Sequence, residues 1–327
     1  MVRALAAGLL LALLAGCGGS AEPRGYALAA GETLRYTITL DERYRQEQRL
    51  PLAVTDPNRI DPTILTEVRA QLFITCTGTD STGAALVQCG YDSFILTATS
   101  GNDSTSIGFA GDTIYFYNRA GFALAVPAAL AGLPLPTARA PWPARLEAQR
   151  GLRFTAAHDN DTFATLLACW HELFPPLADA ARNWTESGPL PAPAPADRAL
   201  AYQRRFSGAG REIWRGVPCE RVTEESDNDL AGMRFALAGD TYGLIPAGTE
   251  AVYRVWHEQR RGEWQLRRIA ENRSGNPAGG EVTVTHEESV ESVLPDPLAA
   301  AGTERYARTV TMTRHFVWRA ADLPADE

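Results

Sequence analysis

The residues able to do chemistry are few and far apart. The chain has five cysteines, Cys17, Cys76, Cys89, Cys169 and Cys219, and five histidines, His158, His171, His257, His286 and His315. Acyl transfer at a nucleophile elbow would need Gly-x-Ser-x-Gly, whose strained turn holds the serine clear of the sheet, and the chain lacks it. Phosphate cradles need closely spaced glycines ahead of a helix, and neither the P-loop nor the dinucleotide spacing occurs. His171-Glu172 starts the pattern H-E-x-x-H, which sets two zinc-binding imidazoles one helical turn apart. Pro175 holds the second imidazole's place, and it also ends a helix. The acidic clusters His158-Asp159-Asn160-Asp161 and Asp227-Asn228-Asp229 offer oxygens of the kind calcium takes. In the second, Gly232 suits a sharp turn, but Ala231 and Ala238 stand where ligand oxygens are needed. Capping or a solvated turn is the better reading of both. No catalytic residue, metal ligand or cofactor follows, so a non-catalytic protein is expected. The alternative enzyme is an envelope hydrolase whose site is assembled from distant strands.

Cys17 differs from the other thiols in its setting. Met1-Val2-Arg3 leads into the apolar run Ala4–Leu14 and then small residues, which is the order of an export signal. About eleven apolar residues are too few to cross roughly 30 Å of hydrocarbon, so the segment is read as cleaved. Leu14-Ala15-Gly16-Cys17 resembles the lipobox of bacterial lipoproteins. That resemblance implies cleavage before Cys17 and lipid attachment to its sulfur and new amino group. Gly18 in place of Asp implies, by resemblance to Gram-negative lipoproteins, the periplasmic face of the outer membrane if the host is Gram-negative. Each buried CH₂ is worth about 0.8 kcal/mol, so one acyl chain anchors marginally and two or three anchor firmly. The membrane, through the lipid on Cys17, is therefore one expected partner.

Charge and the remaining cysteines narrow the class. Cleavage removes one cation, Arg3, and takes the formal net charge from −8 to −9, which disfavours nucleic acid as a partner. Four cysteines follow Cys17, and an even set in an exported chain predicts two disulfides. Cys76 and Cys89 flank the turn-like stretch Gly78–Gly83, so a hairpin would set them opposite each other and leave Cys169 to pair with Cys219.

The elements that would position these residues are mostly strands. Residues 1–16 are the signal, and residues 17–31, rich in Gly and Ala, form a lipidated tether. Residues 32–120 form an N-terminal antiparallel segment. In it Thr33–Leu40 alternates, with Leu34, Tyr36, Ile38 and Leu40 on one face. Val68–Thr77 and Ala84–Tyr91 make the hairpin, and Phe94–Thr99 and Thr113–Tyr117 follow. Residues 121–197 hold one substantial helix between Pro-rich crossings. Phe163, Leu166, Leu167, Trp170 and Phe174 recur at helical spacing from Asp159 to Leu173 and just beyond. Residues 198–320 form a C-terminal antiparallel segment, and 321–327 a tail. Within it Arg254, Trp256, Arg260, Arg261, Trp264, Arg267 and Arg268 interleave. They read as a hairpin turning at Gly262, with aromatic residues inward and arginines in water; the other reading is a basic surface for an anionic envelope component.

The expected class is mainly β within α+β: an antiparallel curved sheet or half-open barrel, with two related β segments as one option. Three short motifs, Gly31-Glu32-Thr33-Leu34-Arg35-Tyr36, Gly111-Asp112-Thr113-Ile114-Tyr115 and Trp214-Arg215-Gly216-Val217-Pro218-Cys219, join the lipobox in resembling a loose family of uncharacterised bacterial lipoproteins. The plan is also similar to the lipoprotein carrier and receptor fold, a half-open barrel around an apolar cavity. That resemblance implies a hydrophobic ligand, with Phe163, Leu166, Leu167, Trp170 and Phe174 lining or plugging the cavity. A lipid-anchored, non-catalytic cell-envelope protein that binds a hydrophobic ligand or an envelope protein is the leading expectation. A structural or assembly subunit of an envelope complex is the alternative.

Overall fold

A computed structural model describes residues 25–49, 63–110, 113–118, 123–127, 141–154, 170, 172–177, 183–189, 201–237, 247–268, 275–295 and 303–323. Fifteen strands run through them: β1 (Thr33–Arg49), β2 (Thr63–Thr79), β3 (Ala85–Ser100), β4 (Asp103–Ala110), β5 (Thr113–Asn118), β6 (Ala123–Pro127), β7 (Trp142–Glu147), β8 (Gly151–Phe154), β9 (Asn183–Pro189), β10 (Ala201–Trp214), β11 (Val217–Asp229), β12 (Arg234–Ala236), β13 (Glu250–Arg267), β14 (Pro277–Pro295) and β15 (Thr303–Ala320). They pair in one antiparallel sheet, in the order β6-β5-β4-β3-β2-β1-β15-β14-β13-β11-β10-β9. Strand β12 pairs with β13, and the β7–β8 hairpin pairs with β3. Among the described residues β6 and β9 do not pair with each other, so the sheet is open.

The two expected β segments share this sheet. β1 lies between β2 and the last strand, β15, in register from Tyr36 opposite Ala320 to Arg49 opposite Ala307. The central strands are long. β13 and β15 have 18 residues each and β14 has 19, or roughly 60 Å at about 3.3 Å per residue. Bulges interrupt the ladder near Asp92, Thr77, Ala209, Arg254 and Ala278. Each adds local twist and bends its strand.

Period-two patterning sets which face is covered. Tyr36, Ile38 and Leu40 on β1 are buried while Arg35 and Asp41 are exposed, as the alternation predicts. Phe316 and Trp318 on β15 and Val282 and Val284 on β14 join them. The chain from Gly25 to Leu28 lies against this core. Tyr26 donates its backbone N–H to the Ala148 carbonyl at 2.9 Å and its hydroxyl to the Pro175 carbonyl.

Several expectations are corrected. The hairpin of β2 and β3 forms, but its turn and a bulge at Thr77 put Cys76 opposite Val87, and Cys89 opposite Ile74. The two cysteines are thus diagonal neighbours, about 7–8 Å apart where a disulfide needs Cβ atoms near 3.8 Å. Cys76, Cys89 and Cys219 are free, buried thiols, and Cys169 lies outside the described residues. Phe94–Thr99 continues β3, and a missed strand, β4, follows it. A ladder of hydroxyls, Thr97 to Ser106 at 2.8 Å and Thr99 to Ser104 at 3.3 Å, lets so polar a segment pair. The Pro-rich region 121–197 contributes β6, β7, β8 and β9.

Gly262 does not turn the chain. It sits inside β13, where the Trp264 ring lies over it; a Cβ there would meet the ring at 2.3 Å. The glycine serves a close approach, the other common reason for one in a strand. The substantial helix is unsupported. Asp159–Cys169, including Phe163, Leu166 and Leu167, lie outside the described residues, and only Trp170, Glu172 and Leu173 among those described are helical. Among the described residues no helix is long and apolar enough to cross a membrane.

Candidate functional site

The covered face of the sheet changes character along its strands. At one end it is apolar, and residues 172–177 together with Trp170 fill it. Trp170 meets Tyr91 of β3 with ring centroids 5.5 Å apart, and Phe154 of β8 at 6.3 Å. Phe174 meets Tyr26 at 5.1 Å and Tyr36 of β1 at 6.3 Å, edge to face. Trp264 of β13 donates its indole N–H to the Glu172 carbonyl at 2.9 Å. Trp170, Leu173, Phe174 and Leu177 are all buried. The turn between β7 and β8 clasps the same segment. Gly151, which opens β8, has φ +75°, and a Cβ would lie 2.4 Å from the Phe174 carbonyl oxygen. Leu177 donates its N–H to the Gln149 carbonyl at 2.6 Å.

Where the apolar end gives out, an ion network begins. Glu224 of β11 is inward by the pleat that buries Val222, and its side chain is 0% exposed. Arg204 of β10 grips it through two bonds, 2.7 and 2.8 Å, and stacks over Phe206 at 5.1 Å. Arg260 of β13 donates to Glu224 at 3.1 Å and to both carboxylate oxygens of Glu172 at 2.7 Å. Ser226 donates to Glu224 at 3.2 Å. Burial alone would push the Glu224 carboxyl up; its hydrogen bond to Arg204 and the charges of Arg260 and Arg204 outweigh that and hold it below its ordinary value. Burial would likewise lower Arg260, and Glu172 and Glu224 raise it instead. Two cations and two anions thus share a nearly dry site, with Glu186 of β9 3.7 Å from Arg204 at its rim, and they tie the 172–177 segment to the sheet.

The polar stripe continues across the neighbouring strands. On β15 and β1, Arg314 donates to Glu42 at 2.7 Å. Arg308 of β15 pairs with Glu288 of β14, and His286 Nε2 lies 3.6 Å from the same carboxylate. The Trp256 ring meets His286 edge-on at 5.2 Å. Burial would raise Glu288 too, but the nearby His286 and the charge and hydrogen bond of Arg308 lower it. Tyr44 donates to Gln46 at 2.6 Å, and burial raises its phenol. Chemically, the stripe offers paired charges and hydrogen-bond donors along one side of an apolar floor.

The expected site residues fall unevenly. Trp170 and Phe174 are brought together in the apolar end. Cys17 lies outside the described residues. Asp227, Asn228 and Asp229 end strand β11 and do not form the expected turn: Asp227 pairs with His257 at 2.6 Å, buried Asn228 accepts the Gln203 N–H at 2.9 Å, and Asp229 accepts the Ala231 N–H at 2.9 Å. Trp264 is buried as expected, but Arg260 shares its face instead of facing water. Sequence reasoning missed Arg204 and Glu224 altogether, and weighed Glu172 only beside His171 as the start of a zinc pattern. The one available signal was the parity of Val222, Glu224, Ser226 and Asn228, which keeps polar residues on an inward face.

No family model matches the chain, and no curated protein matches it. Solved structures give faint likenesses. An outer membrane channel from Pseudomonas putida F1 is 9% identical over 90% of this chain and 97% of its own, with a TM-score of 0.21. OccK7 (OpdD) from Pseudomonas aeruginosa is 7% identical over 89% and 99%, with a TM-score of 0.19. A DUF1329 family protein from Desulfovibrio piger is 8% identical over 89% and 88%, with a TM-score of 0.16. At such scores these likenesses say nothing of this chain's fold or function.

Proposed function

We propose that this chain is an exported, lipid-anchored, non-catalytic envelope protein that binds an amphiphile on the covered face of its sheet. The observation that carries this reading is the split of that face, apolar at one end and charged beside it, under a short segment that is not part of the sheet. An amphiphile has the same two parts in the same order. In this reading its apolar chain takes the place of Trp170, Leu173 and Phe174, and its head lies along the charged stripe. Cys17 carries the anchor, so the site works near a membrane that supplies such molecules.

Native mass spectrometry of the full chain carrying Cys17→Ser, after incubation with vesicles of phosphatidylethanolamine and phosphatidylglycerol, tests the binding. One bound lipid per chain is expected; consistently lipid-free protein would overturn it. For the anchor, a palmitate analogue should label the wild type and leave Cys17→Ser unlabelled. Equal labelling of both would refute it.

A further inference from the structure

Resting on the amphiphile reading, we propose that the ligand's head is anionic, and that Arg260 and Arg204 take it in the position now held by the Glu172 carboxylate. The segment around Glu172 already presents what such a molecule would present: apolar groups in Trp170, Leu173 and Phe174, and one carboxylate among them. Arg260 Nη2 lies 2.7 Å from each Glu172 oxygen, and Arg204 Nη2 lies 3.9 Å from the nearer one. A guanidinium fork suits carboxylate and phosphate oxygens alike.

The pairing of Arg260 selects the head group. Glu224 is wholly buried and stays with the sheet whatever the segment does. When Glu172 withdraws, Arg204 keeps Glu224 and, at 3.7 Å, Glu186 of β9, but Arg260 keeps only its Nε contact to Glu224 and its Nη2 loses both of its carboxylate oxygens. Breaking a buried ion pair by removing one partner is strongly destabilising. An incoming anion restores the pair, and an uncharged head does not. The Trp264 indole N–H, which now donates to the Glu172 carbonyl, needs an acceptor as well, and an acidic head has a second oxygen to give. Glu172 is therefore an internal competitor for the ligand's own site.

Laurate and 1-dodecanol share one alkyl chain and differ in the charge of the head, so they separate the two parts of the claim. Binding to the full chain carrying Cys17→Ser is read by native mass spectrometry and tryptophan fluorescence. Laurate should bind about tenfold or more tighter than dodecanol, the range a hydrogen bond to a charged group gives. Glu172→Gln keeps the side chain's shape and weakens its hold on Arg260, and it should tighten laurate without tightening dodecanol. Arg260→Gln should abolish the preference, and Arg204→Gln serves if that variant does not fold. Equal affinities for the two ligands in the wild type, or an unchanged preference in the arginine variants, would overturn the anionic head while leaving amphiphile binding in place. Binding of neither ligand would overturn both.

Discussion

The large apolar core and the charged stripe beside it, which a small second apolar cluster of Met233, Phe235, Ala251, Tyr253 and Val290 flanks, sit on the same strands with opposite physics. Along β1 the inward residues run from Tyr36, Ile38 and Leu40 to Glu42, Tyr44 and Gln46. Along β13 they run from Trp264 back to Arg260 and Trp256. The apolar end is held by area. About 25 cal/mol is gained per Å² removed from water, and no partner is needed. The charged end is held by pairing, since each ion there costs several kcal/mol to dehydrate and is offset only by its neighbours. The apolar end should thus yield gradually to truncation, and the charged end sharply to the loss of one partner.

Trp264→Ala should be the most damaging change, at about 3–5 kcal/mol in urea unfolding, because it empties the centre of the core and frees the Glu172 carbonyl. A loss under about 1 kcal/mol would mean that the two ends are not joined there. Arg260→Met should cost about 3 kcal/mol or more by stranding Glu172, and adding Glu172→Gln should recover much of it, since Arg204 still holds Glu224. No recovery would show that packing of the arginine stem, not charge, is what matters.

The charged end should set the acid limit of stability, and buried tyrosines, led by those of the apolar end, the alkaline one. Glu224 and Glu288 titrate lower in the folded protein than unfolded, so their contribution is complete above roughly pH 4.5 and is lost as pH falls through their depressed values. Burial raises Tyr26 and Tyr36 at the apolar end, so the stability from keeping them neutral is complete below roughly pH 10 and is lost above it. Urea midpoints against pH should fall on both sides. Tyr36→Phe should soften only the alkaline fall; if it softened the acid fall instead, the assignment of the two limits would be wrong.

The smallest effect is expected outside both ends. Arg35 and Asp92 pair at 3.1 Å with the arginine half-exposed, and Arg35→Ala should cost no more than about 0.5 kcal/mol. A loss above 2 kcal/mol would place a supporting role on the open face.

The comparison also explains what the sequence reveals. The apolar end is legible because Tyr36, Ile38 and Leu40 alternate with polar residues, and because Phe316 and Trp318 share one parity on β15. The charged end is not legible, since a Glu or Arg of inward parity reads as a break in the pattern until its partner is known. Glu224, Arg260 and Glu172 lie on three separate stretches of chain. Register is hidden for a related reason: the bulge at Thr77 moves Cys76 past Cys89 and removes the expected disulfide. Gly262 has the composition of a turn, and only the Trp264 ring lying over it shows why a glycine stands inside a strand.

Hydrogen exchange over residues 170–177, with and without saturating laurate, tests most directly whether this segment gives way to an amphiphile. Faster exchange there with laurate, with β1 and β15 unchanged, is the expected result. Unchanged or slower exchange over that segment, with laurate demonstrably bound, would contradict it.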